Sequence, residues 1–226
     1  MGSLKIILLG LFLFCFERCF SQNVNILYNQ NVQQEIYAAR KLSKILMDKG
    51  YTIVNSQQNY DHLINLAIHK TALEAEAFSI IPENKIITIT GGDNRGLIYG
   101  VFDLIEKLEN GQRLDNIASD HQAPKLQFRG IKYNLPWQTY RPSSALDQHM
   151  ETAKDLTYWE AFLDMLVENR FNAVSLWNMH PYTYMIRPKN FPEASPWSEK
   201  ELAEWQHLYK EIFRMAKERA LDTYIV

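Results

Sequence analysis

Five aromatic and polar side chains that could contact a ligand follow the ends of two predicted β-strands. They are Asn134 at the end of the first strand and Trp137 after it, and Trp177, Asn178 and His180 after the second. An indole ring can stack against the C–H face of a sugar ring, and amide side chains can donate to and accept from its hydroxyls. The pattern therefore predicts a carbohydrate-binding site. Packing in the core is the alternative for Trp177, and His180 could equally hydrogen-bond a neighbouring loop.

The segment that carries these residues has the pattern of the opening of a (β/α)8 barrel. A strand at 128–134 leads through a polar loop to an amphipathic helix at 158–170, and an apolar strand follows at 173–176. Residues 223–226 predict a third strand. Functional residues of such barrels lie at the carboxyl ends of the strands, where the five side chains fall. The sequence thus predicts an incomplete TIM (β/α)8 barrel with its first two to three βα units.

The preceding residues predict a small two-layer α/β sandwich, in which two helices cover one face of a four-stranded sheet. The predicted strands are 24–28, 51–54, 63–68 and 85–90, and the predicted helices are 34–49, ended by Gly50, and 97–108, ended by Gly111. We expect Ile36 on the buried face of the first helix. Residues 71–74 fit a helix capping box.

A glycine-rich turn, residues 91–96, joins the last of these strands to the second helix. A strand, a glycine turn and a helix N-terminus can bind phosphate. This turn lacks a following Gly-Lys-Ser/Thr and the Gly-x-Gly-x-x-Gly spacing. We therefore interpret it as a tight connection that needs positive φ at glycine.

The overall composition limits the classes of partner. Hydrophobic residues make up 46% and charged residues 22%, and the formal net charge of -2 gives no reason to expect nucleic acid or an anionic membrane as a partner. The six histidines have no metal-binding spacing, so neither a metal nor a cofactor is predicted. A chain of 226 residues falls short of the roughly 350 that a small domain plus a whole barrel requires.

The N-terminus has the pattern of a cleavable signal peptide. Lys5 is followed by an apolar stretch, residues 6–16, that is too short to span a bilayer, and Cys19 and Ser21 occupy the cleavage positions. Lipoprotein cleavage is the alternative, but neither cysteine follows a small residue. We expect a secreted or periplasmic protein that begins near Gln22, with a small domain at 22–122 and a barrel segment at 123–226.

The small domain resembles a known family. Residues 90–101, Thr-Gly-Gly-Asp-Asn-Arg-Gly-Leu-Ile-Tyr-Gly-Val, and the upstream helix with Ala38-Ala39-Arg40 are similar to the domain before the catalytic barrel in β-N-acetylhexosaminidases and α-glucuronidases. The resemblance implies a glycoside hydrolase fold with a carbohydrate substrate. It also implies that the catalytic carboxylates project from the fourth and later strands, beyond Val226.

The barrel segment is more similar to the α-glucuronidases. Arg129 and Gly130 match the first strand of the hexosaminidases, but Asn134 replaces their aspartate and Trp137 replaces their sugar-binding arginine. Residues 169–178, Asn-Arg-Phe-Asn-Ala-Val-Ser-Leu-Trp-Asn, resemble the α-glucuronidase strand, although the tryptophan-rich first strand of those enzymes is not reproduced. We expect an exported glycoside hydrolase of polysaccharides or oligosaccharides, including uronic-acid-containing ones. A non-catalytic carbohydrate-binding or assembly protein on the same scaffold is the alternative.

The remaining charged residues of the barrel segment are interpreted as structural. Arg129 is expected to form an ion pair at the base of the first strand, and Arg187 to be a solvated loop residue, although it could bind a sugar carboxylate. Five acidic residues on or beside the first barrel helix are expected on its solvated face: Glu151, Asp155, Glu160, Asp164 and Glu168. Ser198 and Glu201 predict a capping box at the start of the next helix.

Overall fold

The computed structural model describes residues 21–55, 58–135, 144–177 and 181–225. Its described residues form two α/β units, as predicted. The strands are β1 (Asn23–Leu27), β2 (Thr52–Ile53), β3 (His62–Ile68), β4 (Phe78–Glu83), β5 (Ile86–Gly91), β6 (Asp120–Gln122), β7 (Gly130–Asn134), β8 (Ala173–Trp177) and β9 (Asp222–Ile225). The helices are α1 (Gln33–Asp48), α2 (Asn94–Glu109), α3 (Ser144–Lys154), α4 (Leu156–Glu168) and α5 (Glu199–Glu218).

The first unit contains a six-stranded sheet in the order β2-β1-β3-β5-β4-β6. The four predicted strands are confirmed, whereas β4 and β6 were missed. β4 runs antiparallel to β5 across a two-residue turn in which Asn84 has φ 55°. The capping box predicted at 71–74 is wrong, because the chain forms a turn there, with the Ala72 N–H donating to His69 O (3.1 Å).

Helices α1 and α2 pack against each other and against the sheet. The prediction for Ile36 is wrong: it is 40% exposed, whereas Tyr37 and Ala38 are buried. Tyr37 contacts both Phe102 of α2 and Asp164 of the second unit, so the buried stripe includes Tyr37 and leaves out Ile36. Gly50 and Gly111 end the two helices with φ 87°, as predicted.

The glycine-rich turn is a tight connection, but its predicted cause is wrong, because no glycine of residues 91–96 has positive φ. Glycine is required here by close approach of the backbone. A Cβ on Gly92 would lie 1.9 Å from Glu74 O, and one on Gly96 would lie 2.2 Å from Ala77 O. Asp93 caps α2 by accepting from the Gly96 N–H (2.7 Å).

The second unit is a three-stranded parallel sheet in the order β7-β8-β9. Its helix α3 occupies part of the predicted polar loop. The capping box that starts α5 is confirmed by reciprocal hydrogen bonds between Ser198 and Glu201, and the apolar stripe of this helix is buried. Among the described helices, none is both long enough and apolar enough to cross a membrane.

Two ionic clusters join the units. In the Glu76 cluster, Glu76 accepts from Arg95 Nη1 of the first unit (2.6 Å), and from Asn172 Nδ2 (3.0 Å) and Arg129 of the second. The expected ion pair of Arg129 is thereby confirmed. Burial raises the pKa of the Glu76 carboxyl, but hydrogen bonds from Arg129, Asn172 and Arg95 outweigh this and hold the pKa below its usual range.

The Asp164 cluster lies between α1, α4 and the end of α5. Asp164 accepts from Tyr37 Oη (2.7 Å), from Arg219 Nε (2.7 Å) and from Lys41. The expectation that Asp164 is solvated is wrong, because the small domain covers this part of α4 and buries the carboxyl. Burial raises its pKa, and hydrogen bonds from Lys41 and Tyr37 outweigh that effect, so the pKa lies below its usual range.

Candidate carbohydrate-binding site

The candidate site lies at the carboxyl ends of β7 and β8. Asn134 and Trp177 are direct register partners, and the Leu135 N–H donates to Trp177 O (2.8 Å), so the two strands remain paired to their last residues. Both residues were predicted at strand ends, and the structure places them side by side. Trp137, Asn178 and His180, the other three predicted site residues, lie outside the described residues.

The two faces of the three-stranded sheet have different surroundings. Tyr133 packs among the aromatic rings of α4, with its centroid 4.7 Å from that of Trp159 and 5.3 Å from that of Phe162. Val174 and Leu176 on the same face are fully buried. Successive residues of a strand point to opposite sides of the sheet, so the other face carries the intervening side chains. These side chains are Lys132, Asn134, Ser175, Trp177 and Tyr224.

We call this second face the open face, because its side chains are exposed or only half-buried in the described structure. Lys132 and Asn134 are exposed, and Ser175 and Trp177 are half-buried. In a closed (β/α)8 barrel, the face opposite the helices is the interior face, and its carboxyl end forms the ligand pocket. Asn134 and Trp177 lie at the carboxyl end of this face, where the predicted barrel would place its ligand pocket, and their role in binding stays a prediction.

Lys132 is a residue of this face that the sequence interpretation missed. Its Nζ lies 4.1 Å from the centroid of the Trp177 ring, which is within the range of a cation–π contact. Strand periodicity could have identified it, because Lys132 lies two positions before Asn134 in the same strand and therefore shares its face. The contact also means that one face of the indole meets an ammonium group. A sugar stacking on Trp177 would use the remaining surface of the ring.

The described part of the loop after β8, residues 181–198, is anchored at several points. Arg187 donates to Glu199 and to Trp197 O, and Gln206 Nε2 donates to Met185 O (2.8 Å). The expectation of a solvated Arg187 is corrected, because its guanidinium ties the loop to the start of α5. The ring of Tyr184 packs against Trp197 and Trp205 at centroid distances of 5.1 and 4.7 Å. This packing holds the segment around Tyr184 against Trp197 and the N-terminal half of α5.

Metal and acid–base chemistry have little support among the described residues. Within ranges 21–55, 58–135, 144–177 and 181–225, no group of three or more His, Cys, Asp or Glu side chains is placed to hold a metal. Asp222, at the amino end of the open face, is paired with Arg95 (Nη2–Oδ1 3.1 Å). Hydrolysis of a glycosidic bond commonly needs two carboxyl groups flanking it. No such pair can be assigned among the described residues of this face.

Comparison with known proteins identifies the class to which this architecture is similar. Residues 19–119 match the family model described as glycosyl hydrolase family 20, domain 2. The chain is also similar to the solved structure of a GH138 enzyme targeting pectin rhamnogalacturonan II, with 25% identity and a TM-score of 0.78. That alignment covers 88% of this chain and 30% of the GH138 enzyme. No curated protein matches the chain in sequence.

Two further structures share the fold at lower identity. A β-N-acetylhexosaminidase from Bacteroides fragilis is 14% identical with a TM-score of 0.58, and the alignment covers 91% of this chain and 39% of that one. The GH115 4-O-methyl-α-glucuronidase BtGH115A is 18% identical with a TM-score of 0.51, and the alignment covers 82% of this chain and 28% of that one. The predicted resemblance to glycoside hydrolases is thus confirmed, with several families sharing the fold.

Proposed function

We propose that the whole protein is an exported glycoside hydrolase that cleaves O-glycosidic bonds in polysaccharides or oligosaccharides. One observation carries the proposal: Asn134 and Trp177 end adjacent parallel strands, on the face of the sheet that no described helix covers. This pairing of an amide and an indole suits sugar hydroxyls and a sugar C–H face. The match of residues 19–119 to domain 2 of glycosyl hydrolase family 20, which precedes these strands in the chain, supports the same conclusion.

In this proposal the present chain supplies substrate contacts, and later strands of the barrel supply the chemistry. Trp177 positions the sugar ring, and Asn134 bonds its hydroxyls. Trp137, Asn178 and His180 are proposed to contribute from the loops that follow the same two strands. The acid and the nucleophile or base are proposed to project from the fourth and later strands. The chain spans about 30% of the GH138 enzyme, so the activity of the whole protein is inferred from its scaffold.

The relatives favour a polysaccharide substrate that includes uronic acids. The GH138 enzyme is described as targeting pectin rhamnogalacturonan II, and BtGH115A as a glucuronidase with specificity for decorated arabinogalactans. The replacement of the hexosaminidase aspartate and arginine by Asn134 and Trp137 argues against an N-acetylhexosamine substrate. We therefore propose an acidic plant-type or similarly decorated glycan as the substrate class.

Hydrolysis by the full-length protein tests the proposal. The protein should release reducing ends from at least one glycan in a panel of pectic, arabinogalactan and xylan fractions. Trp177→Ala should lower kcat/KM by about 100-fold with little change in the unfolding midpoint, because the half-buried ring contributes to positioning more than to packing. The matched control is Leu166→Ala on α4, which removes a fully buried side chain and should lower stability instead.

Two results would contradict this function. If the protein binds glycans but hydrolyses none, the non-catalytic carbohydrate-binding alternative is correct. If Trp177→Ala unfolds the protein yet leaves turnover per folded molecule normal, Trp177 is a core residue. Export is tested separately by sequencing the N-terminus of the secreted protein, which we propose begins near Gln22, after removal of the segment that contains both cysteines.

A further inference from the structure

The open face contains one cation close to the candidate site, and its described surroundings leave it without an anion. Lys132 is exposed, and its Nζ lies 4.1 Å from the Trp177 ring centroid. Among the described residues Lys132 forms no ion pair, and Asp222 at the other end of the same face is already paired with Arg95. An ammonium group carries three hydrogen-bond donors. The face of an aromatic ring attracts the charge but does not replace a hydrogen-bond acceptor for these donors.

The position of Lys132 in the strand determines where its charge acts. Lys132 precedes Asn134 by two residues and is the register partner of Ser175, so its stem starts one layer below the carboxyl edge. The side chain extends toward the ring of Trp177, which belongs to the edge layer itself. The ammonium is therefore brought to the floor of the pocket that the proposed function assigns to the sugar.

We propose that Lys132 binds an anionic substituent, a carboxylate or a sulfate, on the sugar that occupies the site. The inference rests on the proposed function and extends it by naming a residue that selects an acidic sugar. Trp177 holds the ammonium by cation–π attraction, and the anion then accepts a charge-assisted hydrogen bond from Nζ. A neutral sugar of the same shape lacks this bond and leaves the ammonium unpaired. Discrimination of this kind arises because the site contains a polar group that only one ligand satisfies.

Calorimetric titration of the full-length protein with matched sugar pairs tests the assignment. The probes are methyl glucuronide against methyl glucoside, and methyl galacturonide against methyl galactoside, with methyl galactoside 6-sulfate as a separate arm. We expect the wild type to bind at least one acidic probe about 10- to 100-fold more tightly than its neutral partner. Lys132→Gln should remove that advantage by weakening the acidic probe far more than the neutral one, and Lys132→Arg should restore part of it.

The control variant is Lys200→Gln, which removes the same charge from an 88% exposed side chain of α5 and should leave the preference intact. If only the sulfated probe binds more tightly than its neutral partner, the anion is identified as sulfate. The proposal is overturned if Lys132→Gln keeps the acidic preference, if it weakens acidic and neutral probes equally, or if the wild type binds neutral sugars without any acidic preference. Because the measurement is binding, absence of hydrolysis contradicts the proposed function without affecting this result.

Discussion

Replacing Glu76 with glutamine should destabilise the chain and uncouple its two units. Glu76 accepts from an arginine of the first unit and from Arg129 and Asn172 of the second, with a side chain only 12% exposed. The glutamine keeps one acceptor oxygen but places an NH2 group toward a guanidinium. Two charge-assisted hydrogen bonds are therefore lost or weakened, each contributing about 1.5–3 kcal/mol.

The arginines keep other partners, and these reduce the expected effect. Arg95 Nε still donates to Ala220 O (2.6 Å), and Arg129 Nε still donates to Arg170 O (2.6 Å). We therefore expect a loss of about 3 kcal/mol in the free energy of unfolding, at the lower end of the effect of breaking a buried ion pair. The matched control is Glu199→Gln, which also faces an arginine but is 85% exposed. That change should alter stability by less than about 1 kcal/mol.

Urea unfolding followed by two signals measures both effects. All five tryptophans lie at or after Trp137, so indole fluorescence reports on the second unit, whereas far-UV circular dichroism reports on both. The wild type should give coincident transitions, and Glu76→Gln should give an earlier fluorescence transition. A loss below about 1 kcal/mol with coincident transitions would refute the argument that this carboxylate couples the units.

Three further predictions concern stability. Glu76 and Asp164 have lowered pKa values in the folded state. Their contribution to the free energy of unfolding is therefore present above the unfolded carboxyl pKa of about 4 and is lost as pH falls below it. In urea titrations, a variant with both residues replaced by amides should lose less stability than the wild type between pH 6 and pH 3. Leu166→Ala should cost about 2–5 kcal/mol, measured as a lower urea midpoint, because the side chain is fully buried. Gly100→Ala should lower the thermal midpoint despite better helix propensity, because the new Cβ would lie 2.7 Å from a β5 side chain.

The sequence determined those features that depend on neighbouring residues. The capping box of Ser198 and Glu201, the helix end at Gly50 and the apolar strand at 173–176 all follow from patterns within a few residues, and the structure has each of them. The strand end at Asn134 was predicted for the same reason, whereas the second strand extends one residue past its predicted end, to Trp177. The similarity to glycoside hydrolases could be recognised because these local patterns recur at fixed spacing along the chain.

Tertiary structure decided the features that depend on residues far apart in the chain. Asp164 has the helical position of a solvated residue, but α1 brings Tyr37 against it across 127 positions and buries it. The contact of Lys132 with Trp177 requires β7 and β8 to pair in one particular register, which neither strand specifies alone. Helical and strand periodicity indicates which face of an element is apolar. Only packing determines what lies against that face, and hence which charges are buried, paired or left for a ligand.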